Sequence, residues 1–224
     1  MHISDGVLPI SITVGAYAAS AALAAWSVRR TRSEELPKVA VVTAAFFVAS
    51  LIHVPFGPTS VHLLIPGLAG ALLGPSAFLA IGLGLLLQSI LFQFGGLTAL
   101  GANALMMGVP ALACGVFFQK LKGRSRRRQS LVGGLAGALG TALAALILAL
   151  LLASGGEDFF GVAKIALAAH IPVILIEGAV SAFTVAFLVR VKPELLAPAF
   201  VQGHPRQPEL NAPPQEPPDS PAHG

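Results

Sequence analysis

The sequence predicts an all-α integral membrane protein, a bundle of about seven transmembrane helices followed by a disordered, Pro-rich cytoplasmic tail. Three observations predict it. Hydrophobic residues make up 55% of the 224 and charged residues only 11%, against roughly 25% charged in soluble domains, and mean hydropathy is +0.80. So few polar side chains cannot cover an aqueous globule, and lipid must replace water over most of the chain. The apolar residues also fall in long runs, and the basic residues collect at the ends of those runs.

Reading for spans of about 20 residues gives seven apolar segments, at 9–28, 38–54, 61–74, 76–93, 101–119, 131–153 and 161–189. The third is short and rich in Gly and Pro, and reads as a broken or tilted helix. Arg29, Arg30, Arg32 and Lys38 flank the first connection, Lys120, Lys122, Arg124, Arg126, Arg127 and Arg128 fill the fifth, and Arg190 and Lys192 follow the last segment. With seven spans all three clusters share one side, the cytoplasmic one by the positive-inside rule. The opposite stretches, 1–8, 55–60, 94–100 and 154–160, hold Asp5, Glu157 and Asp158 and no Lys or Arg. The expectation is a multi-pass protein of the bacterial inner (plasma) membrane with its N-terminus outside. The start carries no basic residue and the first segment is long enough to span, so no cleaved signal peptide is expected and Met1 is expected to begin the mature chain.

Residues 1–192 form the expected membrane domain and 193–224 the expected tail, where repeated Pro with Gln, Glu and Ala offers too little apolar area to offset ordering entropy. His204 and His223 fall there and read as incidental. Patterns such as Gly67-Leu-Ala-Gly70 and Gly133-Gly134-Leu-Ala-Gly137 read as close helix packing in lipid. Cys114 is the single cysteine, so there is no disulfide framework. The formal charge of +4 is concentrated at segment ends, which suits anionic lipid or a partner subunit and argues against nucleic acid.

Ionisable side chains in spans are costly and are read first as functional. Here they are His53, His62, Lys164, His170 and Glu177, to which His2 is added. The α-amine of Met1, the amide nitrogen of His2 and the imidazole Nδ1 of His2 can wrap one metal ion in fused chelate rings, the amide losing its proton to a strongly Lewis-acidic late transition metal. A second imidazole in the open equatorial position would complete a planar four-nitrogen set, a geometry of nickel(II) or copper(II) rather than zinc or magnesium. His53 and His62 bracket a Pro/Gly-rich connection on the expected outer face, and Gln88 to Asn103 bring further polar and Gly residues to it. Irregular backbone at membrane depth is tolerated only where protein or a cavity receives it, so these elements read as a site. His170 and Glu177, spaced i, i+7 on one helical face, read as structural, satisfying each other or a neighbouring helix, with subunit docking or proton balance as the alternative for Glu177. Lys164 reads as snorkelling to the outer interface. No GxxxxGK[ST] and no HExxH occurs, so ATP hydrolysis and the usual zinc-peptidase chemistry are excluded. An intramembrane enzyme built on His53, His62, His170 and Glu177 lacks any activating spacing.

The segments Met1-His2-Ile3-Ser4-Asp5-Gly6-Val7-Leu8, Gly57-Pro58-Thr59-Ser60-Val61-His62, Phe92-Gln93-Phe94-Gly95-Gly96-Leu97-Thr98-Ala99-Leu100-Gly101-Ala102-Asn103 and His170-Ile171-Pro172 through Glu177-Gly178 resemble the CbiM/NikM family, the substrate-capture (S) components of energy-coupling factor (ECF) transporters for cobalt and nickel. The resemblance covers about residues 1–192. It implies a non-enzymatic subunit without a cofactor, whose cargo is Co(II) or Ni(II): cobalt for cobalamin biosynthesis or, alternatively, nickel for nickel enzymes. It also implies as partners an ECF transmembrane scaffold subunit, a small accessory membrane subunit and cytoplasmic ATPase subunits. A stand-alone metal channel or secondary transporter is the rival. By the resemblance Met1, His2 and His62 supply the four nitrogens, the N-terminal segment plugs into the bundle, and Gln88, Thr98 and Asn103 are candidates for orienting it. His2 is bulky, which favours retention of Met1. Two positions depart from the pattern. His53 stands where many relatives resemble Ile-Asn-Phe-Pro, which makes it an extra donor, an orienting group or a satisfied interfacial histidine. Pro66 is unusual and is expected to bend the third helix below His62.

Overall fold

The long apolar runs do form helices. The structure is a computed structural model that describes residues 2–51, 53–56, 59–156 and 159–197, and for 53–56 and 59–62 the backbone alone. In chain order the elements are α1 (Ile10–Arg30), α2 (Leu36–Leu51), a two-stranded antiparallel hairpin of β1 (His53–Phe56) and β2 (Thr59–His62), α3 (Pro66–Leu73), α4 (Ala77–Phe92), α5 (Leu100–Leu121), α6 (Arg126–Ala153) and α7 (Phe160–Val191), with short 3₁₀ turns at Ser33–Glu35, Gly74–Ser76 and Pro193–Leu196.

Among the described residues, five segments are long and apolar enough to cross a membrane unaided: α1, Pro66–Phe92, α5, α6 and α7. Of the seven expected spans, length and composition account for these five; α2 has 16 residues and α3 only 8, and eight residues rise only about 12 Å. The segment expected at 61–74 is broken. Its start is strand β2, and its helix begins at Pro66, the first helical position, where a missing N–H costs nothing. Pro66 therefore starts α3 rather than bending it. Pro193–Leu196 form a turn held under the bundle, Lys38 Nζ donating to the Leu195 carbonyl at 2.7 Å and Lys122 Nζ to the Leu196 carbonyl at 2.6 Å, with Leu196 buried. The expected disorder of 198–224 lies outside the described residues.

Helix α5 is the centre of the bundle, with α1, α3, α4 and α6 packed on it, and α7 covers α6. Lipid-facing positions carry the large exposed apolar side chains, Ile10, Leu175 and Phe183 among them. Two glycines let α3 lie deep in the bundle. A Cβ on Gly67 would stand 1.9 Å from the Ala136 carbonyl oxygen of α6, and one on Gly70 1.9 Å from the Ala111 carbonyl oxygen of α5. Backbone touches backbone there, as expected where no hydrophobic force drives helix to helix.

Contacts between the connections sort them to two ends of the bundle. At one end the Val7 carbonyl lies against Gly155, and Asp5 against Thr98. At the other, Thr31 and Glu35 bond Ser76, and Lys38 and Lys122 hold Leu195 and Leu196. This second end carries the basic clusters.

Gly67→Leu is expected to force α3 and α6 apart and lower stability by about 1–3 kcal/mol, whereas Gly82→Ala, with nothing within 4 Å of a new Cβ, is neutral. Thermal unfolding in detergent reads both.

Candidate metal centre

The N-terminal segment is drawn into the bundle by its second and third residues. Ile3 is 1% exposed and belongs to the apolar core. An extended backbone buried among helices must find partners for its N–H and C=O, and one side chain of α5 serves both. Ile3 N–H donates to Asn103 Oδ1 at 2.8 Å and Asn103 Nδ2 donates to the Ile3 carbonyl at 3.0 Å. Asn103 thus mimics a neighbouring strand across 100 residues of sequence.

His2 is 5% exposed and its Nε2 lies 2.8 Å from Oε1 of Gln88, which is buried on α4. An amide oxygen can only accept, so with this amide orientation Nε2 carries the proton and donates. The lone pair then sits on Nδ1. Gln88 therefore selects the tautomer that the chelate expected from the sequence requires. The Phe94 ring lies beside the imidazole with centroids 6.2 Å apart. Gln88 Nε2 has no hydrogen-bond partner among the described residues.

The α4–α5 loop is shaped for this segment. Gln93 terminates α4 with φ +57°, and Gly95 and Gly96 follow at φ +75° and +73°. Such angles favour glycine. The space does too: a Cβ on Gly95 would meet Asn103 Nδ2 at 2.6 Å and His2 Cβ at 3.1 Å, and one on Gly96 would lie 2.1 Å from the Asp5 carboxyl carbon. Thr98 hydroxyl donates to Asp5 Oδ1 at 2.6 Å and Ala99 N–H donates to the same oxygen at 3.2 Å. Helix α1 braces the loop and the first turn of α5, Tyr17 hydroxyl donating to the Leu97 carbonyl and Ser20 hydroxyl to the Gly101 carbonyl at 2.6 Å. Sequence reasoning misses Asp5, Tyr17 and Ser20 as site residues. Asp5 has a signal in the acidic position of the N-terminal motif, and the two α1 hydroxyls have none.

The Thr98 hydroxyl, helped by backbone N–H donors and opposed by burial, holds the Asp5 carboxyl below the usual carboxylate range.

Of the residues that the sequence points to, the structure therefore brings together His2, Gln88 and Asn103, with Thr98 one step out on Asp5. Met1 and the side chains of His53 and His62 lie outside the described residues. The hairpin backbone makes His53 and His62 register partners, and β2 packs against α7. His170 and Glu177, both buried on α7, do not satisfy each other. His170 Nδ1 donates to the Ala166 carbonyl at 2.6 Å, and its Nε2 has no hydrogen-bond partner among the described residues. Glu177 reaches a different part of the chain, accepting from Leu64 N–H, from Ile65 N–H at 2.9 Å and from Thr141 hydroxyl at 2.8 Å. Lys164 is exposed in the first turns of α7.

Apolar spans packed around a buried N-terminal segment define a multi-pass membrane protein. Residues 2–195 match the CbiM family, described as the cobalt uptake substrate-specific transmembrane region. A cobalt transport protein CbiM of Sorangium cellulosum is 34% identical over 212 residues, covering 88% of this chain and 94% of its own. A fused nickel transport protein NikMN of Rhodobacter capsulatus is 36% identical over 224 residues, covering 88% of this chain and 64% of its own. Among solved structures, a transition metal transporter superposes with a TM-score of 0.69 at 25% identity, over 84% of this chain and 91% of that one. The chain belongs to the CbiM family and is a cobalt/nickel transport component of the CbiM/NikM type.

Gln88→Leu, which removes the acceptor for His2 and keeps the bulk, is expected to weaken nickel(II) binding about 10–100-fold, read by calorimetric titration of purified protein. A second expectation concerns acid. Because the Asp5 carboxyl is held low in the folded protein, its clasp contributes fully above the ordinary carboxylate pKa and is lost as pH falls through that range to the depressed value. Asp5→Ala should therefore lower the melting temperature of metal-free protein at neutral pH, with the difference from wild type shrinking below about pH 4.

Proposed function

We propose that this chain is the substrate-capture subunit of an ATP-driven ECF-type importer of Co(II) or Ni(II). Its cargo is held by four nitrogens: the Met1 amine, the His2 amide, the His2 Nδ1 and the His62 imidazole. The observation that carries this reading is the His2–Gln88 hydrogen bond, which puts the lone pair of a buried imidazole on Nδ1, the ring nitrogen able to share one metal ion with its own amide. Asn103 fixes the next residue by both backbone groups, so the His2 imidazole and the backbone beside it are held in place before the metal arrives. Preorganised donors of this kind bind without further ordering cost.

His53, as the register partner of His62, is the candidate to support or supplement that ligand. Sidedness follows from the charges. The basic clusters share the bundle end opposite the N-terminal segment, and by the positive-inside rule that end is cytoplasmic. The metal is then taken from outside. The chain has no GxxxxGK[ST] motif, so ATP hydrolysis falls to partner subunits, and a membrane scaffold subunit would transmit it. A planar four-nitrogen set suits nickel(II) by geometry, while the family's description favours cobalt, and import of cobalt for cobalamin biosynthesis is the role proposed in the cell.

Addition of one residue before Met1 displaces the amine from the chelate. That extended protein, His2→Ala and His62→Ala are each expected to lose high-affinity Ni(II) and Co(II) binding in calorimetry. Unchanged affinity in the extended protein contradicts the chelate. Metal uptake by cells expressing this chain without any ATPase partner contradicts the subunit reading.

A further inference from the structure

We propose that Glu177 is the positioning residue that sets the depth and register of the metal-ligand strand, and so of His62. This rests on His62 being the fourth ligand. The geometry is that of a cradle. Two residues beyond β2 the chain leaves its strand to begin α3, and the N–H groups at a helix start have no intrahelical partner. Inside a lipid-surrounded bundle no water replaces them. Glu177, on the middle of α7 and 0% exposed, accepts from Leu64 N–H with Oε1 and from Ile65 N–H with both oxygens at 2.9 Å. Ile65 itself has φ +46°, a left-handed conformation unusual for a β-branched residue. Strained backbone of this kind persists only where its surroundings over-determine it, and the carboxylate supplies that determination three residues from His62.

The anchor is itself held firmly. Thr141 hydroxyl of α6 donates to Glu177 Oε2 at 2.8 Å. Gly137, one turn earlier on α6, packs so closely that a Cβ there would stand 2.7 Å from the Glu177 carbonyl oxygen and 2.3 Å from Ser181 Oγ. Among the described residues the carboxylate's hydrogen-bond partners are three donors and no cation. Its task is to accept hydrogen bonds, and a charge is not required for that. A movement of the α6–α7 pair would be transmitted to the strand end through this cradle, which gives the bundle a handle on one ligand of the metal and leaves the N-terminal chelate to α4 and α5.

The test uses the purified full chain in detergent. Ni(II) affinity is measured by calorimetry and the nitrogen count of bound Cu(II) by the superhyperfine pattern in its paramagnetic resonance spectrum. Four variants are compared: Glu177→Leu, Glu177→Gln, His62→Ala and the double variant that combines Glu177→Leu with His62→Ala. Glu177→Leu is expected to lose about 10–100-fold in affinity and to show the reduced nitrogen count of His62→Ala. The double variant should bind no more weakly than His62→Ala, since a residue that acts through another adds nothing once that other is gone. Glu177→Gln retains an acceptor for Leu64 and Ile65 and should stay within a few-fold of wild type. Wild-type affinity and spectrum in Glu177→Leu, or a loss that adds in full to that of His62→Ala, overturns the proposal. If Glu177→Leu does not fold, Thr141→Val carries the same comparison: a few-fold loss that vanishes in the His62→Ala background supports it, and a loss that persists there overturns it. Wild-type binding by His62→Ala sinks the four-nitrogen reading instead, whatever Glu177 does.

Discussion

Backbone that leaves a helix inside a bilayer has no water to bond to, and this constraint organises the centre of the molecule. Helices satisfy it internally. Two stretches, residues 2–3 and 64–65, do not, and each is received by a side chain from a distant helix: Asn103 for Ile3, and Glu177 for Leu64 and Ile65. An unsatisfied amide in such surroundings costs several kcal/mol, so these polar side chains do more than decorate a bundle that would stand without them. They decide where irregular chain penetrates the bundle. His2 belongs to the first of these stretches, and strand β2 ends two residues before the second.

The same constraint explains why the site is made from so few ionisable groups. The proposed chelate of amine, amide and imidazole nitrogens asks for no ionisable side chain but that of His2. Only the orientation of His2 has to be supplied, and Gln88, a neutral residue, supplies it through one hydrogen bond. Charge enters at the rim, where Asp5 meets Thr98 and Ala99. A carboxylate is cheaper there than at depth.

Much of this is legible in the sequence. Gly95 and Gly96 announce a backbone that needs positive φ or close approach, and both occur. His2, Gln88 and Asn103 are polar residues in apolar surroundings, and the structure brings them together where residues 2–3 enter the bundle. What cannot be read is the receiving backbone. Leu64 and Ile65 bond Glu177 from 113 and 112 residues away through their N–H groups, and a main-chain donor has no letter in the sequence. Hydropathy likewise cannot tell a strand followed by a short helix from a spanning helix, so 61–74 reads as one segment. Pro66 and Pro193 read as a bend and as the start of a disordered tail, although proline at a first helical position begins a turn as readily as it ends one.

The chelate depends on the His2 amide giving up its proton to the metal, because nothing else makes the first two residues a planar three-nitrogen donor. About pH 9 lies above the ordinary pKa of an imidazole and of an α-amine, so a proton released on binding there is the mark of the amide. Titration of Ni(II) into weakly buffered protein at that pH, with the released acid measured directly, tests it. Release of about one proton per metal ion is the expected result; binding with no proton released contradicts the chelate.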